Sequence, residues 1–173
     1  YALGELGWLA YEEQDYPRAK DFFARSLQLT DDVNDSAHTG LGYTLAAQGN
    51  YTDAILHCQR AASIETRLPG GFNCLGYLYR ATKQYTESTS AYRKVLELRP
   101  YWEDGHIGIA VIQADQGKYA EAEATLKQGL LQITKPRYAH YWLGWVLFQQ
   151  QKYQEAQPNF EKAAQLVPDD AGV

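Results

Sequence analysis

The sequence of 173 residues contains no methionine, only two cysteines and no excess of basic residues. Its formal net charge of −5 speaks against a nucleic-acid partner, because proteins that bind nucleic acid carry a basic face. No apolar run approaches the roughly 18–20 residues of a membrane-spanning helix, so we do not expect this segment to insert into a membrane. Because the chain opens on Tyr1 and lacks methionine, we expect it to be a fragment of a longer protein.

Sequence motifs of catalysis are also missing. The chain has no GK[ST], HExxH or GxSxG motif, and Gly40-Leu41-Gly42 lies inside a predicted helix with no preceding strand to make a dinucleotide-binding loop. Acidic pairs such as Asp31-Asp32 fall at predicted helix starts or in turns, where carboxylates cap helices or are solvated. We therefore predict that the protein is not an enzyme and has neither catalytic residues nor a cofactor.

The two cysteines, Cys58 and Cys74, form neither a CxxC pair nor a Cys/His cluster with zinc spacing. Both fall inside predicted helices, and we interpret them as small buried apolar side chains. A disulfide between the neighbouring helices is left open. The sequence assigns no cellular compartment, with the cytoplasm slightly favoured.

The most regular feature of the sequence is a tyrosine that recurs at a nearly constant spacing. A tyrosine followed three residues later by a small residue recurs at spacings of 35, 34, 34 and 34, at Tyr16, Tyr51, Tyr85, Tyr119 and Tyr153. A fixed period of this length is typical of stacked supersecondary units. Each repeat contains two apolar stripes of helical spacing joined by a short polar turn. The sequence therefore predicts one domain over residues 1–173 with repeats at about 1–34, 35–68, 69–102, 103–136 and 137–170.

The pattern resembles the tetratricopeptide repeat family. Its Leu-Gly pair on the first helix reads Leu6-Gly7, Leu41-Gly42, Leu75-Gly76, Ile109-Ala110 and Leu143-Gly144. Its second-helix aromatic position reads Phe23, Cys58, Tyr92, Leu126 and Phe160, and its closing proline survives as Pro100 and Pro168. The resemblance implies an all-α, right-handed superhelical solenoid of five antiparallel helix pairs, with the first helices on the concave side. It also implies a protein or peptide as the partner.

Projection of each first helix, avoiding its core stripe, identifies candidate peptide-binding positions on the concave face. They are Trp8, Tyr11, Tyr43, Asn73, Tyr77, Arg80, Val111, Tyr141, Trp145 and Phe148. This set is aromatic and nearly uncharged, whereas a merely solvated face would carry Lys, Glu and Gln. Contiguous exposed apolar patches usually mark an interface, so we expect a non-catalytic interaction scaffold that binds an apolar or aromatic peptide, or a helix of a partner, in its concave groove. The alternatives are packing between repeats and, for the last repeat, a neighbouring helix that was cut away.

Histidines occupy one shared position of the first helix in three repeats, at His38, His106 and His140. The second and fourth repeats are not adjacent, and neighbouring helices lie roughly 8–10 Å apart. Metal–nitrogen bonds are about 2 Å long, so we predict no metal site.

Two further functions stay open. An exposed second-helix face around Phe160 suggests self-association into a homo-oligomer through the terminal repeats, and the fragment could regulate an enzyme domain elsewhere in its parent chain. The family subset that grips the carboxylate of chaperone tails uses Lys, Asn and Arg on first helices. Those positions here hold Gly4, Trp8, Gly40, Gly70 and Cys74, so that clamp is not predicted.

Overall fold

The computed structural model describes residues 2–166, which form ten α-helices and no strand. The predicted all-α class and the helix pairs are confirmed. The helices are α1 (Ala2–Glu12), α2 (Tyr16–Leu29), α3 (Asp35–Ala47), α4 (Tyr51–Ile64), α5 (Gly70–Ala81), α6 (Tyr85–Leu98), α7 (Glu103–Asp115), α8 (Tyr119–Leu130), α9 (Ala139–Gln149) and α10 (Tyr153–Leu166). Pro168, the predicted closing proline of the last repeat, lies outside the residues that the structure describes.

The periodic tyrosine is the first residue of every second helix. Two positions before it, each turn contains a residue with positive φ: Gln14 (60°), Gly49 (81°), Lys83 (61°), Gly117 (76°) and Gln151 (62°). A left-handed residue ends the first helix within one turn and reverses the chain. Asp15 and Asn50 then cap the second helices by accepting hydrogen bonds from the backbone N–H of Arg18 (3.2 Å) and Asp53 (3.4 Å). Each repeat therefore contains a tight turn of the same conformation as well as the apolar stripes.

The contacts of the chain divide it into two compact units, residues 1–91 and residues 92–173. The boundary falls within α6. We call them unit 1 and unit 2 and describe each by itself. In unit 1, α3 packs on its partner α4 and on the first helices α1 and α5; in unit 2, α9 packs on α7, α8 and α10. That one repeat domain covers the whole chain stays a prediction.

The core of unit 1 depends on glycines that face bulky side chains. Phe23 of α2 is fully buried, and a Cβ added to either Gly7 or Gly40 would overlap its ring. One repeat further on, Cys58 of α4 and Cys74 of α5 form a disulfide, which corrects their interpretation as unlinked apolar side chains. Sulfur fills the second-helix position that other repeats give to Phe, Tyr or Leu.

The core of unit 2 centres on an apolar cluster that includes Leu126 of α8 and Leu143 of α9. Two glycines of α7 allow close approach of α6, because a Cβ on Gly105 would meet Leu96 and one on Gly108 would overlap the ring of Tyr92. The cost of glycine in a helix interior, about 1 kcal/mol relative to alanine, is offset here by the contact that it permits.

Candidate functional site

Four aromatic side chains of unit 1 form a continuous patch, which we call the unit 1 aromatic surface: Trp8 and Tyr11 of α1, Tyr43 of α3 and Tyr77 of α5. Ring centroids are 5.9 Å apart for Trp8 and Tyr11, 6.2 Å for Trp8 and Tyr43, and 5.8 Å for Tyr43 and Tyr77. The residues come from three successive first helices that pack side by side. The structure thus brings these four predicted residues together.

Neighbouring side chains hold these rings in place. Trp8 packs edge-on against the buried Phe23, with centroids 5.3 Å apart, and its indole N–H donates to Ser36 Oγ at 3.4 Å. The amide of Asn73 donates to the Tyr43 hydroxyl at 3.5 Å. Rings fixed in this way lose little side-chain entropy when a partner binds. Asn73 therefore acts by orienting Tyr43.

The unit 1 aromatic surface is half-buried and carries hydroxyl groups in place of charges. Trp8, Tyr11 and Tyr43 are partly buried, whereas Tyr77 is 41% exposed. Burial raises the pKa of the Tyr11 hydroxyl, with smaller contributions from Tyr16 and Tyr77, so this hydroxyl stays protonated at neutral pH. The surface offers apolar faces together with neutral hydrogen-bonding groups. Arg80, also predicted, is partly buried on α5 one turn beyond Tyr77.

The predicted residues of unit 2 form a different arrangement. Trp145 packs against Trp142, with centroids 5.7 Å apart, and against Tyr119 at 6.4 Å. Tyr141 packs on Phe160 of α10 at 5.9 Å. Both therefore contribute substantially to packing between helices, the alternative that the sequence left open.

Two further predicted positions of unit 2 differ sharply in exposure. Phe148 is 52% exposed and contacts Tyr153 at 5.3 Å between centroids. Val111 is only 5% exposed, so it belongs to the core and offers a partner almost no surface. Ala110 and Ile112 on either side of it are also buried, so the projection wrongly assigned this part of α7 to the surface.

Sequence reasoning missed Tyr16, Trp142 and Ser36. The ring of Tyr16 lies 5.8 Å from that of Tyr11, so a tyrosine interpreted as part of the turn also borders the aromatic surface.

The three histidines of the shared first-helix position each have a hydrogen-bonding partner. His38 Nδ1 lies 2.9 Å from His57 Nδ1, His106 Nε2 lies 2.9 Å from the carbonyl oxygen of Pro100, and His140 Nδ1 lies 3.0 Å from Asn159 Oδ1. Within residues 2–166, no group of three or more His, Cys, Asp or Glu side chains could hold a metal ion.

A separate cleft of about 590 Å³ lies in unit 2 between the α6–α7 and α8–α9 loops, lined by Tyr101, Trp102, Arg137 and Tyr138 among others. Glu103, on its wall, accepts hydrogen bonds from the backbone N–H groups of Tyr138 (3.0 Å) and Ala139 (3.2 Å). Burial raises the pKa of Glu103 in spite of these bonds. Its carboxylate caps the start of α9, which is a structural role.

The second-helix face around Phe160, proposed for self-association, is less exposed than the sequence predicted. Phe160 is partly buried against Tyr141 and Gly144. Most exposed side chains of α10 are polar, among them Gln157, Glu161 and Lys162. In the part of the chain that the structure describes, no helix is long and apolar enough to span a membrane.

Three family models match the sequence, each described as tetratricopeptide repeat, at residues 5–71, 79–140 and 137–170. The chain belongs to the tetratricopeptide repeat family. Among curated proteins, a tetratricopeptide repeat-containing protein of Caenorhabditis elegans, trd-1, is 24% identical over 116 residues, which are 67% of this chain and 15% of that protein. The resemblance inferred from the repeat pattern is thereby confirmed.

Solved structures share the fold. TTC0263, a tetratricopeptide repeat protein of Thermus thermophilus, superposes with a TM-score of 0.84 at 21% identity, covering 98% of this chain and 92% of that one. PilF of Pseudomonas aeruginosa gives 0.79 at 17% identity, covering 95% and 74%. A chain of the APC/C hetero-tetramer Cut9–Hcn1 gives 0.80 at 17% identity, covering 98% and 34%. Tetratricopeptide repeat proteins bind other proteins and are typically non-catalytic, so the fold suggests a protein–protein interaction scaffold.

Proposed function

We propose that the protein is a non-catalytic scaffold whose unit 1 aromatic surface binds an extended segment of a partner protein that carries apolar or aromatic side chains. The observation that supports this most directly is the unbroken contact of Trp8, Tyr11, Tyr43 and Tyr77 across three first helices. A cluster placed only for core packing would be buried, yet Tyr77 is 41% exposed.

An extended partner fits the dimensions of the surface. The distances from Trp8 to Tyr43 and from Tyr43 to Tyr77, 6.2 Å and 5.8 Å, are each close to the roughly 6.6–6.8 Å between alternate side chains of an extended chain. Alternate apolar side chains of the partner can therefore contact successive rings. The hydroxyls of Tyr43 and Tyr77 can form hydrogen bonds with the backbone of the partner. Tyrosine side chains have few rotatable bonds and are efficient anchors.

Calorimetry with a synthetic peptide tests the proposal. The probe is a Ser/Gly host peptide with Phe or Leu at alternate positions, compared with one of the same composition whose apolar residues are adjacent. The double variant Tyr43→Ala/Tyr77→Ala should weaken binding of the alternating peptide at least tenfold, since truncated anchors cost about 1–2 kcal/mol each. Tyr51→Ala, which removes an exposed tyrosine at the start of α4, should leave the affinity unchanged.

Equal affinity of the wild type and a folded double variant would refute the proposal. Preference for a helical peptide with apolar residues three and four apart would replace the extended partner with a helix. Circular dichroism of each variant confirms that it is folded.

A further inference from the structure

The disulfide of unit 1 joins two helices at a fully buried point. Cys58 of α4 and Cys74 of α5 are bonded across a sequence separation of 16, with Cα atoms 5.8 Å apart, an ordinary distance for bonded cysteines. Both cysteines are 0% exposed. The bond connects the second helix of one repeat to the first helix of the next, where repeat stacks otherwise depend on packing alone.

A third helix is shaped around this bond. Gly42 of α3 has no side chain, and a Cβ built there would overlap Cys58 Sγ and lie 2.9 Å from Cys74 Sγ. Reduction replaces the bond with two thiols, each with its own hydrogen, in a site that is already filled. Close-packed interiors respond to added volume with displacement of neighbouring elements. The packing of α3, α4 and α5 therefore favours the bonded form.

The same helices carry half of the unit 1 aromatic surface. Tyr43 directly follows Gly42 on α3, and Tyr77 lies three residues after Cys74 on α5. Their ring centroids are 5.8 Å apart. Any change in the approach of α3 to α5 at the disulfide changes the spacing of these two rings.

We propose that the Cys58–Cys74 disulfide is a covalent lock, formed in an oxidising compartment, that holds Tyr43 and Tyr77 at the spacing needed for the partner. The reaction is thiol–disulfide exchange: both thiols give up their hydrogens, the Cys58–Cys74 bond forms, and a low-molecular-weight disulfide such as oxidised glutathione accepts two electrons and two protons to become two thiols. Persistent disulfides are rare in the reducing cytosol. The inference of an oxidising compartment replaces the slight preference for the cytoplasm drawn from sequence.

Because neither sulfur is exposed, a reductant reaches the bond only when α3, α4 and α5 separate. The bond is therefore expected to persist in mild reductant and to break under conditions that open unit 1. Unit 2 contains no cysteine, so it provides an internal control within the same molecule.

Mass spectrometry and hydrogen exchange test the lock directly. Protein refolded from the fully reduced state with oxidised glutathione should lose two hydrogen atoms in mass and show no free thiol after unfolding. In protein refolded instead in tris(2-carboxyethyl)phosphine, which keeps both cysteines as thiols, amides of α3, α4 and α5 should exchange about a hundredfold faster, the effect expected for a closed loop of about 15 residues. Amides of α8 and α9 should change little.

The double variant Cys58→Ala/Cys74→Ala is the matched control, since the reductant should have no effect on its exchange. Failure of the bridge to form in refolded protein, or unchanged exchange in the reduced wild type, would overturn the lock. The reductant arm uses the native sequence, so it is decisive even if the double variant does not fold.

The link to binding rests on the proposed function and has its own readout. Reduction should weaken binding of the alternating peptide severalfold in the wild type and leave the double variant unaffected by reductant. Faster exchange with unchanged affinity would overturn the coupling to Tyr43 and Tyr77. If the oxidised protein binds no peptide, the proposed function fails, and the exchange experiment still decides whether the lock exists.

Discussion

At the middle of the second helix, α4 of unit 1 carries Cys58 where α10 of unit 2 carries Phe160. The Phe160 ring packs against Gly144, whose added Cβ would lie 3.0 Å from it. Cys58 is too small to fill the same position alone and does so as a disulfide with Cys74. One residue earlier, His57 of unit 1 corresponds to Asn159 of unit 2, and each contacts the first-helix histidine of its own repeat.

The repeat therefore specifies volumes and polar contacts without specifying the chemistry that supplies them. Unit 1 uses a disulfide, which a reductant can break, and a pair of histidine rings, whereas unit 2 uses an aromatic ring and a neutral amide at the same positions. Unit 1 should therefore respond to redox potential and mild acid, and unit 2 should not. Three comparisons between the units test this contrast.

Alanine at the first-helix glycine should give the largest difference. Gly42→Ala is expected to destabilise unit 1 by about 3 kcal/mol, because the new methyl group overlaps a disulfide that cannot move without displacing α4 or α5. Gly144→Ala should cost about 1 kcal/mol or less, since the ring of Phe160 can shift and unit 2 already accommodates Ala110 at the same register position. Urea denaturation of each variant measures both values.

Gly4→Ala supplies the control for helix propensity, because nothing lies within 4 Å of its added Cβ. It should leave the stability unchanged or raise it by up to about 1 kcal/mol. Equal destabilisation by Gly42→Ala and Gly144→Ala would show that the two units tolerate added volume alike, contrary to the contrast drawn here.

The second-largest difference between the units should come from a partly buried ionic contact in unit 2. Glu123 of α8 accepts hydrogen bonds from Lys127 (2.6 Å), Lys152 (2.7 Å) and Gln150 (2.8 Å). The corresponding position of α4 in unit 1 holds Ile55. Burial alone would raise the pKa of Glu123, but these three partners outweigh it and lower the pKa to about 2. Helix α8 of unit 2 therefore has an ionic junction where α4 of unit 1 has an apolar side chain.

Glu123→Gln should destabilise unit 2 by about 1–2 kcal/mol at neutral pH, because the lysines are partly exposed and screened by solvent. Since the folded-state pKa is depressed, the stabilisation is complete above about pH 4.5 and is lost as the pH falls towards about 2. The difference between wild type and variant in urea denaturation should thus shrink at about pH 3. Glu121→Gln, an exposed glutamate on the same helix, should change little at either pH.

Most of the fold could be predicted from sequence because it depends on period and on local turn chemistry. Tyr16 and its four counterparts, which the sequence places at the turns, prove to be the first residues of the second helices. The pairing of Cys58 with Cys74 could not be predicted in the same way. Their distance depends on how closely α3 approaches α4 and α5, which depends on Gly42, and no local pattern encodes that approach.

The candidate site was predictable only in part, for a related reason. Helix projection places a side chain on a face, which was sufficient to bring together Trp8, Tyr11, Tyr43 and Tyr77. Helix projection gives no information on which other helices pack against that face. Val111 consequently proved to be buried. The partner of His38 is His57 on α4, a second helix, and only the first helices were projected.

The smallest effect concerns pH. Burial lowers the pKa of His57, and the adjacent His38 and the charge of Lys20 lower it further, whereas Asp32 and Asp53 oppose the shift. Arg60 pairs with Asp32 at 3.3 Å. Because the folded-state pKa is depressed, the unfolded chain binds more protons in mild acid. The stability is therefore complete above about pH 6.5 and falls as the pH drops below it.

Exchanging the partners of the two first-helix histidines, His57 and Asn159, isolates this pH effect. His57→Asn gives unit 1 the amide of unit 2 and should reduce the loss of stability between about pH 7.5 and pH 5.5, while Asn159→His should create such a loss in unit 2. Two imidazolium rings would direct N–H groups at each other across 2.9 Å, whereas the oxygen of Asn159 accepts from His140 in either charge state. Hydrogen exchange resolves the units, and an unchanged pH dependence of α3 and α4 in His57→Asn would show that the pair does not sense protons.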